Sequence, residues 1–387
     1  MRSVILRFVL GLSMLSFANS AMADATSEAI LAWGEEMRNA EAAAPTPHPA
    51  TYNSQVGVFY LSVFEAVNAS TGAQWETYSG AILPSDARAD LAASYAAHAA
   101  LSAIYGGSTK ALDARLETLV KSATDSEIAA AKAVGNAAFD AVNSRHSGVR
   151  EVFFLTGDDQ FMPPPPPAID SEKYAQDYNQ VKDFGGMKST VRTAEQGEIA
   201  KFWSDNRTGT MAAKHFNAEK IIAAAGLEGP EFARSLALFA GGQHDAILSV
   251  TASKGVYKTD RPVAAIHKGD TDGNPLTAGD PSWVMFGNNV PPEDLSYSYA
   301  SGGGTLGSYF ANMVGHLIGT DDVTFEYRYL DKPGTRNFER LSDMQAELGQ
   351  SRIYNGEHFM HDVEAGWRMS KQITDYISSN ALMQVSQ

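Results

Sequence analysis

The 387-residue chain has 30 Lys and Arg against 45 Asp and Glu, a formal net charge of −15, and no cysteine. This acidic balance argues against binding to nucleic acid or to an anionic membrane surface. Without cysteine there are neither disulfides nor thiolate metal sites, so the fold must depend on a large buried core.

The chain begins with the pattern of a secretory signal peptide. Arg2 and Arg7 form a cationic start, residues 8–17 are apolar, and small residues at a cleavage pattern precede Asp24. The apolar run is too short to cross a bilayer, and no later segment offers about 18 uninterrupted apolar residues. We expect residues 1–23 to be a signal peptide and the mature protein to be periplasmic or secreted, without a membrane span.

Most of the mature sequence has the periodicity of amphipathic helices. Two capping-box patterns, Thr124 with Glu127 and Thr193 with Gln196, mark helix starts, and Gly106 marks a helix end. No stretch shows sustained two-residue alternation of the strand type. The sequence predicts an all-α fold. Apolar residues recur on one helical face in two early stretches, namely Val56, Phe59, Tyr60, Val63 and Val67, then Leu91, Tyr95, Leu101, Ile104 and Tyr105.

Five consecutive prolines, Pro163 to Pro167, interrupt the helical pattern because proline fixes φ and lacks an N–H. We interpret them as a connector rather than as a ligand for a proline-binding partner. The sequence then predicts an N-terminal helical bundle over 24–160 and a C-terminal helical bundle over 161–387, which together form one structural unit. Residues 267–294 and 331–337 are predicted as loops from their turn-forming residues.

The last third of the chain contains three segments suited to an anion pocket. Lys254 lies near the end of a helix, and Pro262 follows Arg261, so two cations could converge on one oxyanion. Ser301, Gly302 and the following glycine precede an apolar helix, whose N-terminal N–H groups and dipole favour an anion.

The third segment pairs a histidine with a carboxylate. His358 and Asp362 are four residues apart, which places them on one face if the segment is helical. A carboxylate one turn away can hold one imidazole nitrogen and raise the basicity of the other. Taken singly, each of the three segments also has an ordinary explanation, such as a solvated helix end, a flexible loop or a surface pair.

Together and in this order, the three motifs resemble the signature of the vanadium haloperoxidase and type 2 phosphatidic acid phosphatase (PAP2) superfamily. The motifs are Lys254-x6-Arg261-Pro262, a Ser-Gly loop at Ser301, and Ser351-Arg352-x5-His358-x3-Asp362. The resemblance implies two packed helical bundles with the site in the C-terminal one. Further stretches that resemble bacterial members are 64–68, 163–178, 192–196 with 202–203, 273–275 with 280–283, and 353–354 with 358–359.

The resemblance also implies a role for each residue. His358 would be the covalent ligand of vanadate in a haloperoxidase, or the nucleophile that attacks phosphate in a phosphatase, and Asp362 would orient it. Oxyanion binding would fall to Lys254, Arg261, Ser301, Gly302, Gly303 and Arg352, through their charges, the serine hydroxyl and backbone N–H groups.

One position departs from the family pattern. The family's Pro-Ser-Gly-His is Ala300-Ser301-Gly302-Gly303 here, so the histidine that handles protons is missing. General acid–base help of this kind contributes roughly 10²–10⁴-fold to a rate. His267 and His361 are the two nearby histidines that could replace it.

Three functions follow. The leading hypothesis is an exported vanadate-dependent haloperoxidase that oxidises halide with hydrogen peroxide, with turnover impaired by Gly303. The second is a phosphomonoesterase that needs no cofactor and acts on phosphate esters. The third is a non-catalytic, oxyanion-binding family member. The halide or ester preferred and the oligomeric state, a homo-oligomer included, stay open.

Overall fold

The computed structural model describes residues 24–43, 49–84, 86–106, 110–204, 207–287 and 295–385. The predicted signal peptide lies outside these residues. The described helices, in chain order, are α1 (Ala25–Ala43), α2 (Pro49–Ser70), α3 (Ala89–Tyr105), α4 (Lys110–Val120), α5 (Asp125–Arg145), α6 (Glu172–Gly185), α7 (Ala194–Trp203), α8 (Arg207–Ala224), α9 (Gly229–Tyr257), α10 (Pro262–Lys268), α11 (Gly302–Ile318), α12 (Leu341–Tyr354) and α13 (Met360–Asn380). The all-α prediction is confirmed, and no described helix is long and apolar enough to cross a membrane.

The structure departs from the sequence-based prediction at two places. The predicted loop over 267–294 begins inside α10 and continues as a short 3₁₀ helix, Gly269–Thr271, and a small antiparallel hairpin is present further along the chain. Strands β1 (Asp322–Arg328) and β2 (Thr335–Arg340) pair with Phe325 opposite Phe338. The prediction of a loop over 331–337 is therefore wrong from Thr335 onward, where β2 begins. Phe325 and Tyr327, two positions apart in β1, both pack inward, and this alternation is too short to stand out from the helical periodicity around it.

The helix boundaries predicted from caps are confirmed. Thr124 and Thr193 each accept a hydrogen bond from the N–H three residues later, and both capping boxes are complete. Gly106 ends α3 in the left-handed region at φ 31°, which glycine adopts without strain.

The long helix α9 joins the N-terminal helices to the C-terminal ones. It packs against α2 on one side and against α11 and α13 on the other. Nearly all of its faces are buried, as expected for a helix enclosed by others. One continuous core runs from Trp33 through Phe64 and Phe239 to Ile377. Because Lys254 is in the last turn of α9, this packing also fixes one edge of the candidate site.

The segment that leads into the proline run is anchored on α9. The buried carboxylate of Asp245 accepts hydrogen bonds from the N–H groups of three consecutive residues, 153–155, at 2.7, 2.8 and 3.1 Å. Further along, the hydroxyls of Tyr257 and Tyr299 donate to the carbonyls of Pro163 and Pro164. The proline run therefore lies against the helix and the loop that build the site.

Two buried histidines stabilise the same region. His244 of α9 contacts the Glu151 carbonyl at 2.9 Å, and its ring meets that of His146 edge-on at 5.5 Å. The pKa of each imidazole is lowered to about 4, mainly by burial, and for His244 the neighbouring His146 contributes to this shift. Both rings are therefore neutral at neutral pH.

We expect the free energy of unfolding to fall as the pH drops below about 6.5, the pKa of an unperturbed histidine. Below that pH the unfolded chain binds protons that the folded chain does not, until the folded pKa of about 4 is reached. Each such imidazole contributes about 1.4 kcal/mol per pH unit in this window. Denaturant unfolding at several pH values should show a shallower pH slope for His244→Gln than for the wild type.

The matched control is Thr251→Ala, because Thr251 is an exposed residue of the same helix and the substitution neither adds nor removes a titratable group. This variant should keep the wild-type slope. A wild-type slope in His244→Gln would contradict the assignment of a neutral buried imidazole.

Candidate functional site

The fold brings the three sequence motifs together around His358. The Nη1 of Arg261 lies 2.8 Å from His358 Nε2. The backbone N–H of Ser301 donates to the Asp362 carbonyl at 3.0 Å, and that of His358 donates to the Arg352 carbonyl at 3.2 Å. Residues separated by up to about a hundred positions in the chain thus line one site.

The histidine and carboxylate are paired, but not through a shared helical face. The Nδ1 of His358 is 3.0 Å from Asp362 Oδ2, and both side chains are buried. Helix α13 begins only at Met360, so His358 precedes it. Asp362 sits in the first turn, where its Oδ2 also accepts the N–H of Phe359 at 3.0 Å. The expectation of one helical face is wrong because the carboxylate folds back over the helix N-terminus.

The hydrogen-bond network assigns the tautomer of His358. A guanidinium can only donate, so Nε2 accepts from Arg261 through its lone pair. The ring proton is then on Nδ1, which donates to the carboxylate of Asp362. This assignment rests on the partners rather than on an observed hydrogen. Nε2, which faces Arg261, is therefore the unprotonated nitrogen of the ring.

Burial and charge keep this pair in one protonation state. Burial lowers the pKa of His358 well below its usual value, and the charges of Arg261 and Lys254 lower it further, against the hydrogen bond to Asp362. Burial by itself would raise the pKa of Asp362, but the hydrogen bonds and charges around it, above all those of His358, bring it to about 2. At neutral pH the pair is a neutral imidazole and an ionised carboxylate.

Two of the cations are held by backbone carbonyls. The Nζ of Lys254 donates to the carbonyls of Tyr297 and Ser298, the latter at 2.9 Å. Arg261 donates to the carbonyl of Ser296 at 2.7 Å and to that of Glu357 at 2.8 Å. Carbonyls orient a cation without cancelling its charge, so both remain suited to neutralising an anion.

The third cation, Arg352, is buried and held from two sides. Its Nη2 donates to the Trp203 carbonyl at 2.5 Å, and its Nη1 lies 3.2 Å from Glu357 Oε2. Glu357 therefore offsets part of its charge. An anion bound beside Arg352 would compete with the Glu357 carboxylate for the guanidinium.

The glycine loop begins helix α11, as predicted. Ser301 is the N-cap, and its Oγ accepts from the N–H of Gly304 at 3.2 Å. The N–H groups of Gly302 and Gly303 lie in the first turn, at the positive end of the helix dipole. A Cβ at position 303 would lie 2.9 Å from Arg352 Cδ. The missing side chain thus leaves the room that the stem of Arg352 requires.

Neither alternative histidine is placed as a replacement for the missing one. His267 Nε2 is 2.7 Å from the carbonyl of Trp283, outside the motif cluster. His361 Nδ1 is 2.8 Å from Asp177 Oδ2, on the side of Asp362 away from His358.

Sequence reasoning missed three polar partners of the site. Ser298 Oγ donates to Asp362 Oδ2 at 2.6 Å and lies 3.3 Å from His358 Nδ1. The carboxylate of Glu357 pairs with Arg352, and Asp177 pairs with His361. Glu357 could have been found from its place inside the third motif. Ser298 lies three residues before the serine loop without a spacing that distinguishes it, and Asp177 belongs to a distant helix.

These residues fit a tetrahedral oxyanion such as vanadate. Arg261 donates to the lone pair of the His358 imidazole, Arg352 and Ser301 are joined to the same segment through backbone hydrogen bonds, and the first turn of α11 supplies N–H groups beside them. A neutral imidazole with its other nitrogen bound to a carboxylate is the form suited to ligating a metal centre.

Comparison with known proteins gives consistent results. Residues 234–387 match the family model of the VCPO second helical-bundle domain. The structure is similar to that of the first bacterial vanadium-dependent iodoperoxidase, with a TM-score of 0.77 and 17% identity over 93% of this chain and 98% of the other. No curated protein sequence matches significantly.

Two bacterial vanadium-dependent chloroperoxidase structures are also similar. The holo form has a TM-score of 0.63 at 13% identity over 87% of this chain and 93% of the other. The apo form has a TM-score of 0.65 at 12% identity over 87% and 95%. The resemblance to the vanadium haloperoxidase and PAP2 superfamily is confirmed: residues 234–387 match the model of the VCPO second helical-bundle domain, and the chain has the fold of the vanadium haloperoxidases.

Proposed function

We propose that the protein is a vanadate-dependent haloperoxidase-like oxidoreductase that uses hydrogen peroxide to oxidise halide. The observation that carries the proposal is the state of His358. Its Nε2 presents a lone pair toward Arg261, and its Nδ1 is fixed by Asp362. That arrangement suits a ligand to vanadium, and the fold shared with vanadium-dependent peroxidases supports it.

In this proposal each residue has one task. His358 ligates the oxyanion through Nε2, and Asp362 keeps the proton on Nδ1. Lys254, Arg261 and Arg352 neutralise the anion, and Ser301 with the N–H groups of Gly302 and Gly303 binds its oxygens. Bound vanadate would supply a Lewis-acidic centre that activates peroxide toward halide. An oxyanion bound at Nε2 would replace the Arg261 N–H as the partner of that nitrogen, and Arg261 would then donate to an oxygen of the anion.

Proton transfer is the weak part of this site. Position 303 carries no side chain, and neither His267 nor His361 has a recorded contact with His358. Protons must then come from solvent, which costs the general acid–base contribution of roughly 10²–10⁴-fold. We propose that iodide, the more easily oxidised halide, is turned over faster than bromide.

A phosphomonoesterase is the second candidate, because the same Nε2 lone pair could attack phosphorus. Without an acid at position 303, aryl esters should react and alkyl esters should not, since aryl leaving groups need less protonation. Equal rates on both ester classes would count against this candidate.

We expect orthovanadate to bind the wild type saturably in calorimetry and to support peroxide-dependent iodide oxidation. His358→Gln should lose both, because it removes the ligating nitrogen. His267→Gln should retain both vanadate binding and iodide oxidation, because His267 forms its hydrogen bond with the Trp283 carbonyl rather than with a residue of the site. Binding without iodide oxidation or aryl phosphate hydrolysis would favour a non-catalytic oxyanion-binding protein. No binding of vanadate or phosphate would refute the proposed function and both alternatives.

Gly303→His should add a proton-transfer group but also crowd Arg352, because any Cβ there would lie 2.9 Å from its Cδ. Gly303→Ala has the crowding without the imidazole, so the ratio of the two variants isolates proton transfer. We expect Gly303→His to oxidise iodide about 10²-fold faster than Gly303→Ala.

Gly255→Ala serves as the crowding control, since a Cβ there meets nothing within 4 Å. It should bind orthovanadate with wild-type affinity, whereas Gly303→Ala should bind more weakly. Equal iodide rates for Gly303→His and Gly303→Ala would show that proton transfer does not limit turnover.

We also propose that the protein is exported to the periplasm or secreted, on the strength of the cationic start, apolar run and cleavage pattern before Asp24. Expression of the full-length chain in a Gram-negative host should release a protein whose N-terminal residue is Asp24 and whose mass is that of residues 24–387. An intact N-terminus retained in the cytoplasm would contradict this proposal.

A further inference from the structure

A second histidine–carboxylate pair, His361 with Asp177, lies next to Asp362, and the proposed function gives it no role. His361 Nδ1 is 2.8 Å from Asp177 Oδ2, which also accepts the backbone N–H of His361 at 3.1 Å. Both side chains are buried. The imidazole is stacked on the Phe359 ring at 5.1 Å with an interplanar angle of 10°, so its orientation is fixed.

The two oxygens of Asp362 differ in their surroundings. Oδ2 is close to three donors, from Ser298, His358 and Phe359, at 2.6, 3.0 and 3.0 Å. Oδ1 is buried and has no hydrogen-bond partner among the described residues. The Nε2 of His361 lies 3.5 Å from it. A buried carboxylate oxygen without a donor is costly, so a hydrogen bond from His361 to Oδ1 would stabilise the folded site.

We propose that His361 and Asp177 are positioning residues for His358. His361 bridges the two carboxylates, donating from Nδ1 to Asp177 and from Nε2 to Oδ1 of Asp362, and thereby holds Oδ2 against the Nδ1 of His358. The four residues form a buried chain in the order Asp177, His361, Asp362 and His358. This inference rests on the proposed function only in that His358 is the residue being positioned.

The bridge requires a proton on each nitrogen of the His361 ring. The charges around the ring are those of Asp177 and Asp362, each within 3.5 Å of a ring nitrogen. Further out, Lys173 of α6 lies 3.0 Å from Asp177 Oδ1 and 3.5 Å from Glu364. Its position on the far oxygen of Asp177 leaves the near oxygen to His361.

The remaining neighbours are aromatic. The rings of Tyr174 and Tyr299 lie 6.2 Å from the His361 ring, and burial raises the pKa of both phenols, that of Tyr299 to about 12. Both hydroxyls are therefore neutral at neutral pH. Asp177 and Asp362 are therefore the two carboxylates that face the ring, one at each of its nitrogens.

Loss of the bridge should act on His358 through Asp362. With Oδ1 unsupported, the carboxylate can rotate, which weakens its hydrogen bond to the Nδ1 of His358, while Arg261 still keeps Nε2 unprotonated. Outer partners of a ligating histidine typically change metal affinity about 10–100-fold when they are mutated. A role limited to packing would alter stability but not the hydrogen bond at the Nδ1 of His358.

The test uses the mature chain without vanadate, labelled with ¹⁵N-histidine, and long-range ¹H–¹⁵N NMR spectra. The signals of His358 and His361 are assigned by their absence in His358→Gln and His361→Gln. In the wild type, His361 should show two protonated nitrogens, and His358 should show a proton on Nδ1 alone. His361→Gln and Asp177→Asn should each shift the Nδ1 proton signal of His358 upfield, as a weaker hydrogen bond does, while the control His98→Gln, at a histidine that pairs with Asp113, leaves it unchanged.

Orthovanadate titration of the same proteins gives the second measurement. His361→Gln and Asp177→Asn should weaken binding about 10–100-fold, and His98→Gln should not. A His361 ring with one proton in the wild type, or unchanged His358 signals in both variants, would overturn the inference. These spectra do not depend on vanadate, so absence of binding in the wild type refutes the proposed function and leaves the bridge to be decided by NMR.

Discussion

The candidate site depends on the hydrogen bond between the Nδ1 of His358 and the carboxylate of Asp362. It settles which nitrogen carries the proton, and therefore which one has a lone pair for an oxyanion. The cost of burying the carboxylate is offset by donors from Ser298 and Phe359 and by the position of Asp362 in the first turn of α13. Burial and the nearby cations keep the imidazole neutral, which is the state that a ligand or nucleophile requires.

The rest of the structure positions partners for that nitrogen. Helix α9 crosses the whole molecule and carries Lys254 in its last turn, and the proline run packs against the same end through Tyr257. The backbone carbonyls that hold Lys254 and Arg261 orient these charges without neutralising them. Arg352 differs from them, because the carboxylate of Glu357 pairs with it and offsets part of its positive charge. The site thus gathers three cations near the unprotonated nitrogen of His358, within a chain whose net charge is −15.

Local signals in the sequence were good guides to local structure. The capping boxes at Thr124 and Thr193 and the helix start at Ser301 were predicted because each involves contacts within four residues. The hairpin was missed, since the alternation in β1 spans only seven residues between helices. The spacing of His358 and Asp362 predicted their contact but not its geometry, because the residue at which α13 begins decides whether the pair shares a helical face.

By itself, the sequence determined the all-α class, the helix caps and the set of cations, glycines and imidazole that resembles a vanadate site. Only the tertiary structure decided the tautomer of His358, the space that Arg352 occupies beside Gly303, and the pairing of His361 with Asp177. Each of these depends on atoms from segments far apart in the chain. Their distances follow from how α6, α9, α11, α12 and α13 pack, and no spacing within one segment encodes that packing.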